Sequence, residues 1–464
     1  MIAERMISKN GRKAQERFRL AGGMTPARPS GRWCWPAWLL PLLCAAGLFA
    51  GTSISSGQEG VLRAGAARVD ITPKMPVLLG GYASRKELST AAHDPLGARA
   101  VAFERDGQRL VLVSLDLIGF YNDTAEPLRR AILDECHLRD SELFLAAIHD
   151  HSSPILSLDA TRQPAGNVEY TKGLRGDLVR LVRQALDSLA PVKLQAGTGS
   201  SPVGTNRRQV VADTNGNPRI ELGRNPDLRT DREVQVLKVT RADNGELAAV
   251  VFDHGVHSTS LGPRNNLVSG DVHGLAEQFL ENYLGWNVVA AGFAGASGDI
   301  DPWVRVLPDF RTNNGWIPEP VLLGTLLGEE VARVEEGMKG SDLGGAIRTA
   351  CKTLELPGKP VDQTFATNNW PATKVNLVVG CVGQVAVVGF GGEMFNEIGQ
   401  TIKRASPFPV TVVVTHCNGA AGYLPTRAAY LEGGYEVKSS PFAPDAAEQL
   451  VKEALRMLNE LRER

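Results

Sequence analysis

The chain has 464 residues, of which 43% are hydrophobic and 22% charged, and its net charge is −1. A chain of that size buries a substantial core, so neither disulfides nor a metal is needed merely to fold it. The first 50 residues hold eight Lys/Arg against two Asp/Glu, and the remainder holds 42 basic against 49 acidic residues. The bulk of the protein is therefore mildly acidic and lacks the basic footprint of a nucleic-acid binder.

In chain order, Arg28 and Arg32 precede an apolar stretch from Trp33 to Ala50, and small polar residues run from Gly51 to Gly57. That is the pattern of an export signal, with Met24 as a start giving normal proportions. Residues 1–57 are read as a signal peptide or N-terminal anchor with its connector. The protein is thus expected to be exported: periplasmic, extracellular, or anchored through the apolar run.

Beyond the connector, the run Arg109–Ile118 reads as a buried strand, Ala125–Cys136 as a helix and Leu143–Ile148 as a second strand. Val168–Leu189 has apolar residues at helical spacing, and Glu233–Thr240 with Leu247–Phe252 flank Asn244-Gly245, a hairpin signal. A helix over 274–284, a strand over 286–293 and a helix across Pro320–Met338 follow. Strands near 375–381, 384–390 and 410–415 precede a closing amphipathic helix with Leu450, Val451, Ala454, Met457, Leu458 and Leu461 on one stripe. This mixture implies an α/β fold of mixed β-sheets flanked by helices, as one large domain over residues 58–464. Cys136, Cys351, Cys381 and Cys417 show no CxxC spacing, which speaks against a zinc ribbon and leaves any pairing open.

The sharpest local signal is AIHDHSSP, where His149 and His151 leave a predicted strand two residues apart. Side chains at that spacing project from the same face, so both imidazoles can approach one point. A second window, VVFDHGVHSTSLGPRNNLVSGDVHG, supplies His254, His257 and His273. Five of the eight histidines fall in these two windows, which points to a metal or proton-transfer site without saying which of them bind.

These stretches resemble those of the neutral/alkaline non-lysosomal ceramidase family. His-x-His-Ser-x-Pro is similar to its HTHSGP motif, and VHSTSL…NNLVSGDVHG to its VHPTSM…NKLISGDNKG. VVGFGGEMF resembles its glutamate-bearing GEF segment. GYLPTRAAYLEGGYE resembles YxTT…YE, with Tyr423 and Tyr435 twelve positions apart as in that family. TNRR, GASGDIDP, ARVDITP and LLGGY match further elements in colinear order over roughly residues 61–440.

The resemblance implies a zinc hydrolase whose single Zn2+ is held by His149, His257, Glu393 and Tyr423, a set of N and O donors suited to zinc. It implies attack on an N-acyl amide, that of ceramide or a related lipid, by zinc-activated water. His151 then moves a proton or orients the water, and Arg207 and Tyr435 polarise the carbonyl or stabilise the oxyanion. Asp116 is either a partner behind the metal ligands or an ordinary strand-end carboxylate, and His93, His137 and His416 are read as structural. A lipid substrate would allow peripheral contact with a membrane.

The family's GDVSP serine is replaced by Asp301 in GDIDP, and Ser297 is a weak substitute. An aspartate would form an anhydride rather than an acyl-serine ester, so Asp301 is expected to act as a base or to orient water. The family's C-terminal β-rich domain finds no counterpart in the sequence. Both departures keep two alternatives open: a zinc hydrolase of the same fold acting on another amide or ester, and an inactive binding homologue.

Overall fold

Val-, Ala- and Leu-rich runs pair into two principal sheets in the computed structural model of the protein, which describes residues 60–303, 319–359 and 372–463. The larger sheet has eight strands, in the order Val289–Ala294, Leu247–His254, Glu233–Arg241, Ala190–Ser200, Arg63–Asp70, Gly97–Arg105, Gln108–Leu115 and Leu143–Ala147. Its two outermost pairs are parallel and the inner pairings antiparallel. The smaller sheet orders Ile347–Pro357, Ala372–Val382, Val385–Phe390 and Val410–Val414, the last two parallel. All described residues lie in one unit, Glu59–Arg464.

Alternation along the strands decides how these sheets stack, because successive side chains point to opposite faces. Val101, Phe103, Leu112, Phe144, Leu237 and Val251 of the large sheet share a buried cluster with Val378, Val387, Val412 and Val414 of the small one. The opposite faces are covered by helices. Ala125–Cys136 and Ala165–Asp187 lie over one end of the large sheet, and Asp271–Leu284 and Glu319–Gly337 over the other. Asn396–Ala405 and Ala446–Glu463 cover the small sheet. The result is a helix–sheet–sheet–helix sandwich, the mixed α/β architecture expected from the sequence.

Three parallel pairs position the site: 108–115 with 143–147, 247–254 with 289–294, and 385–390 with 410–414. Within each pair both strands end at the same edge, and open α/β sheets place ligands beyond the carboxyl ends of such strands. Here those six ends lead into the segments bearing Tyr121, His149, His257, Asp301, Glu393 and Tyr423. The proposed export segment lies outside the described residues. No described helix is long and apolar enough to cross a membrane.

Candidate metal centre

His149 follows the 143–147 strand in a left-handed conformation, φ 57°, that non-glycine residues rarely adopt. A parallel bridge between Asp150 and Ser258 ties its turn to the one carrying His257. The turn also relies on Gly81, at φ 88°, where a Cβ would collide with the His151 ring. Arg85 fastens the same loop by donating to the carbonyls of Gly80 and His151, each at 2.7 Å.

The ligating atoms of His149, His151 and His257 lie within 4.8 Å of one another, all buried. Backbone carbonyls fix two tautomers. His149 Nδ1 donates to Ile118 O at 2.8 Å, and His257 Nδ1 donates to Ser297 O at 2.7 Å. A carbonyl can only accept, so in each neutral ring Nε2 keeps its lone pair. Both lone pairs face Glu393 Oε2, at 3.3 and 3.6 Å. That oxygen has no hydrogen-bond donor, and His151 Nε2 stands 3.2 Å from His149 Nε2. Burial, with Arg207 next, pushes His257 down to about 3, and burial followed by its neighbour His149 lowers His151. Imidazole nitrogens of His149 and His257 converging on the donor-free Glu393 Oε2 form a cluster suited to a divalent cation with N and O ligands.

Glu393 and Tyr423 are paired in register in a short parallel ladder, which sets them side by side. Glu393 Oε1 accepts from Tyr121 Oη at 3.4 Å, a contact absent from the sequence reading. Tyr423 is buried, with burial first and Glu393 second keeping its phenol protonated well above its ordinary value. Tyr435 meets it edge-on at 5.7 Å between ring centroids and is 47% exposed, so it belongs to the mouth.

Beside this pocket, Arg207 donates to Glu436 Oε1 at 2.8 Å, Gly298 O at 2.8 Å, and both Asp301 Oδ1 and His257 Nε2 at 3.2 Å. Asp301 is fully buried, and its other oxygen meets Arg224 Nη1 at 3.3 Å. A carboxylate between two guanidiniums is a poor base. Asp301, expected to act as a base or to orient water, stands between Arg207 and Arg224 in the structure. Arg224, which no motif singled out, is pushed down to about 10 by burial and then Arg207.

One open reading is settled and one expectation corrected. Asp116 does not support a histidine; it accepts from Gly97 N at 2.6 Å and pairs with the buried Arg99, while carbonyls orient His149 and His257. His416, read as structural, stacks on His149 at 3.9 Å and 14°. Ser297 contributes its carbonyl to His257. Among the other histidines, His254 donates to Glu233 O and His273 meets Ser258 Oγ at 3.0 Å, away from Glu393.

Residues 62–306 match the family model for the neutral/alkaline non-lysosomal ceramidase N-terminal region. Neutral ceramidase of Pseudomonas aeruginosa is 28% identical over 272 residues, 53% of this chain and 38% of that protein. Neutral ceramidase 1 of Arabidopsis thaliana is 24% identical over 265 residues, 53% of this chain and 32% of its own. The chain thus matches about a third of the length of these curated relatives. The crystal structure of the Pseudomonas aeruginosa neutral ceramidase superposes with a TM-score of 0.72 at 21% identity, over 87% of this chain and 75% of that one. A ceramidase structure described as complexed with C2 gives 0.71 at 19% identity. The likeness in fold extends past residue 306 into the half that carries Glu393 and Tyr423. With its model matched over more than half of the sequence, the chain belongs to the neutral/alkaline non-lysosomal ceramidase family.

Proposed function

We propose that the protein is a zinc-dependent amide hydrolase that cleaves the N-acyl bond of ceramide or a related lipid amide. The observation that carries this reading is the donor-free Glu393 Oε2 facing the Nε2 atoms of His149 and His257. These three groups, with Tyr423 beside Glu393, would hold the metal. A zinc ion there supplies Lewis acidity, polarising a carbonyl and making a bound water acidic near neutral pH.

The remaining steps fall to the chain's own side chains. Water adds to the carbonyl carbon, and its proton passes to neutral His151, which sits against His149 with Nδ1 unpartnered. The amine nitrogen takes that proton as the C–N bond breaks, leaving a carboxylic acid and a free amine, and the acid then loses its proton to the amine or to solvent. Tyr435 at the mouth donates to the developing oxyanion. Arg207, its donors largely engaged, contributes positive charge. Asp301 holds Arg207 and Arg224 and does not attack.

Purified protein should carry about one zinc per chain and release fatty acid from ceramide, with activity lost on chelation and restored by zinc. Undiminished ceramide hydrolysis after complete removal of metal would contradict the reading. The Asp301–Arg224 pair, standing where the family motif has serine, favours a second reading: the same chemistry on another amide or ester. Comparing ceramide with water-soluble N-acyl amides and esters separates the two.

A further inference from the structure

The least explained group near the metal pocket is His416. It is 1% exposed, and neither ring nitrogen has a hydrogen-bond partner among the described residues. Hydrogen bonding therefore does not account for its placement. Its backbone does tie it to the site: His416 N donates to Gly392 O at 3.2 Å, just before Glu393, and its carbonyl accepts from Ala147 N at 3.3 Å, just before the His149 turn. It also sits in the left-handed region, φ 51°, as His149 does at 57°. Two left-handed non-glycine residues thus bring two imidazoles face to face.

That face-to-face contact differs from the others around His149. His151 and His257 meet the ring nearly edge-on, at 87° and 75°, the arrangement that neutral aromatic quadrupoles favour. His416 lies almost parallel, at 14° and 3.9 Å between centroids. The in-plane lone pairs of two such rings lie in nearly parallel planes 3.9 Å apart between centroids, so one metal position cannot lie in both, and His416 is not a co-ligand with His149. A metal on His149 Nε2, however, draws electron density out of that ring. The facing π-cloud of neutral His416 then becomes attractive to it, as a cation attracts an aromatic face.

We infer that His416 is a positioning residue of the metal centre, a stacked aromatic plate that orients the His149 imidazole and stabilises it in its metal-bound form. The inference rests on the metal-site reading above.

The test is zinc affinity, measured on the full chain by competition with a chromophoric chelator. His416→Asn tolerates the left-handed backbone and removes the aromatic face. His416→Phe keeps the face and removes both nitrogens. Zinc should bind the Asn variant about tenfold or more weakly, the range seen when residues behind metal ligands are lost. The Phe variant should recover most of that loss, with circular dichroism and thermal midpoints showing that both metal-free variants are folded. An Asn variant that binds zinc as tightly as the native chain would overturn the inference, as would a folded Phe variant as weak as Asn. If Phe does not fold, the Asn result decides alone. Failure of the native chain to bind zinc would instead remove the metal-site reading itself.

Discussion

Two adjacent pockets share Arg207 and His257 and are finished in opposite ways. On the metal side, the Nε2 atoms of His149 and His257 stand 3.3 and 3.6 Å from a Glu393 oxygen that has no hydrogen-bond donor. On the Asp301 side, each carboxylate oxygen already meets a guanidinium, at 3.2 and 3.3 Å. The first leaves one carboxylate oxygen without a donor; the second pairs both of its carboxylate oxygens with the chain's own guanidiniums. A residue change at the reacting side can therefore bring its own counter-charge, Arg224, and leave the ligand set alone.

The comparison breaks most severely if the metal side is not the catalytic one. His257→Ala and Glu393→Gln should each remove bound zinc and reduce amide hydrolysis at least about 10³-fold, as loss of several kcal/mol of Lewis-acid stabilisation requires. Metal analysis with turnover assays checks this, and a zinc-free variant that still turns over would refute it. His151→Ala should keep its zinc and slow turnover by about 10²–10⁴-fold, the usual worth of a positioned proton carrier. Loss of zinc along with activity would make His151 a ligand instead.

The Asp301 side should answer in stability more than in metal. Asp301→Asn leaves two arginines without their shared carboxylate, and removing one partner of a buried pair costs about 3–5 kcal/mol. Chemical denaturation should show that loss while zinc content stays native. Asp301→Ser should also be less stable and gain no amidase activity; a large gain would show that serine is the preferred catalyst. Arg224→Gln should cost less than Asp301→Asn, since the Arg224 side chain keeps 23% exposure and Asp301 retains its contact with Arg207. A loss as large as that of Asp301→Asn would mean that Arg224, and not Arg207, anchors the carboxylate.

Much of the fold was legible because periodicity survives wherever one face is buried. The Ala125–Cys136 helix starts and ends where its apolar spacing puts it, and the three Val-rich strands of the small sheet fall where expected. Strands Gly97–Arg105 and Ala190–Ser200 were missed: the first is alanine-rich and buried on both faces, and the second alternates with polar residues and glycines. The helix Asn396–Ala405 was hidden because its short run gives few apolar positions, only Ile398 and Ile402 being large and buried. In the site, His149, His257 and Glu393 were reachable through colinear motifs. His416 and Tyr121 were not, because each enters across a contact between distant segments that no local spacing records. Arg224 sits on a loop with no periodic signal, and only the geometry around Asp301 reveals it. Asp116 was left with two readings because a carboxylate at a strand end looks the same in sequence whether it faces the ligands or, as here, a buried arginine.

The most direct test of the central claim is a zinc titration of metal-stripped native protein, Glu393→Gln and Asp301→Asn side by side. Native and Asp301→Asn should each bind about one zinc with similar affinity, as a single four-ligand site on the metal side requires, while Glu393→Gln binds far more weakly. No zinc uptake by the native chain, or uptake that depends on Asp301 and not on Glu393, would contradict the account.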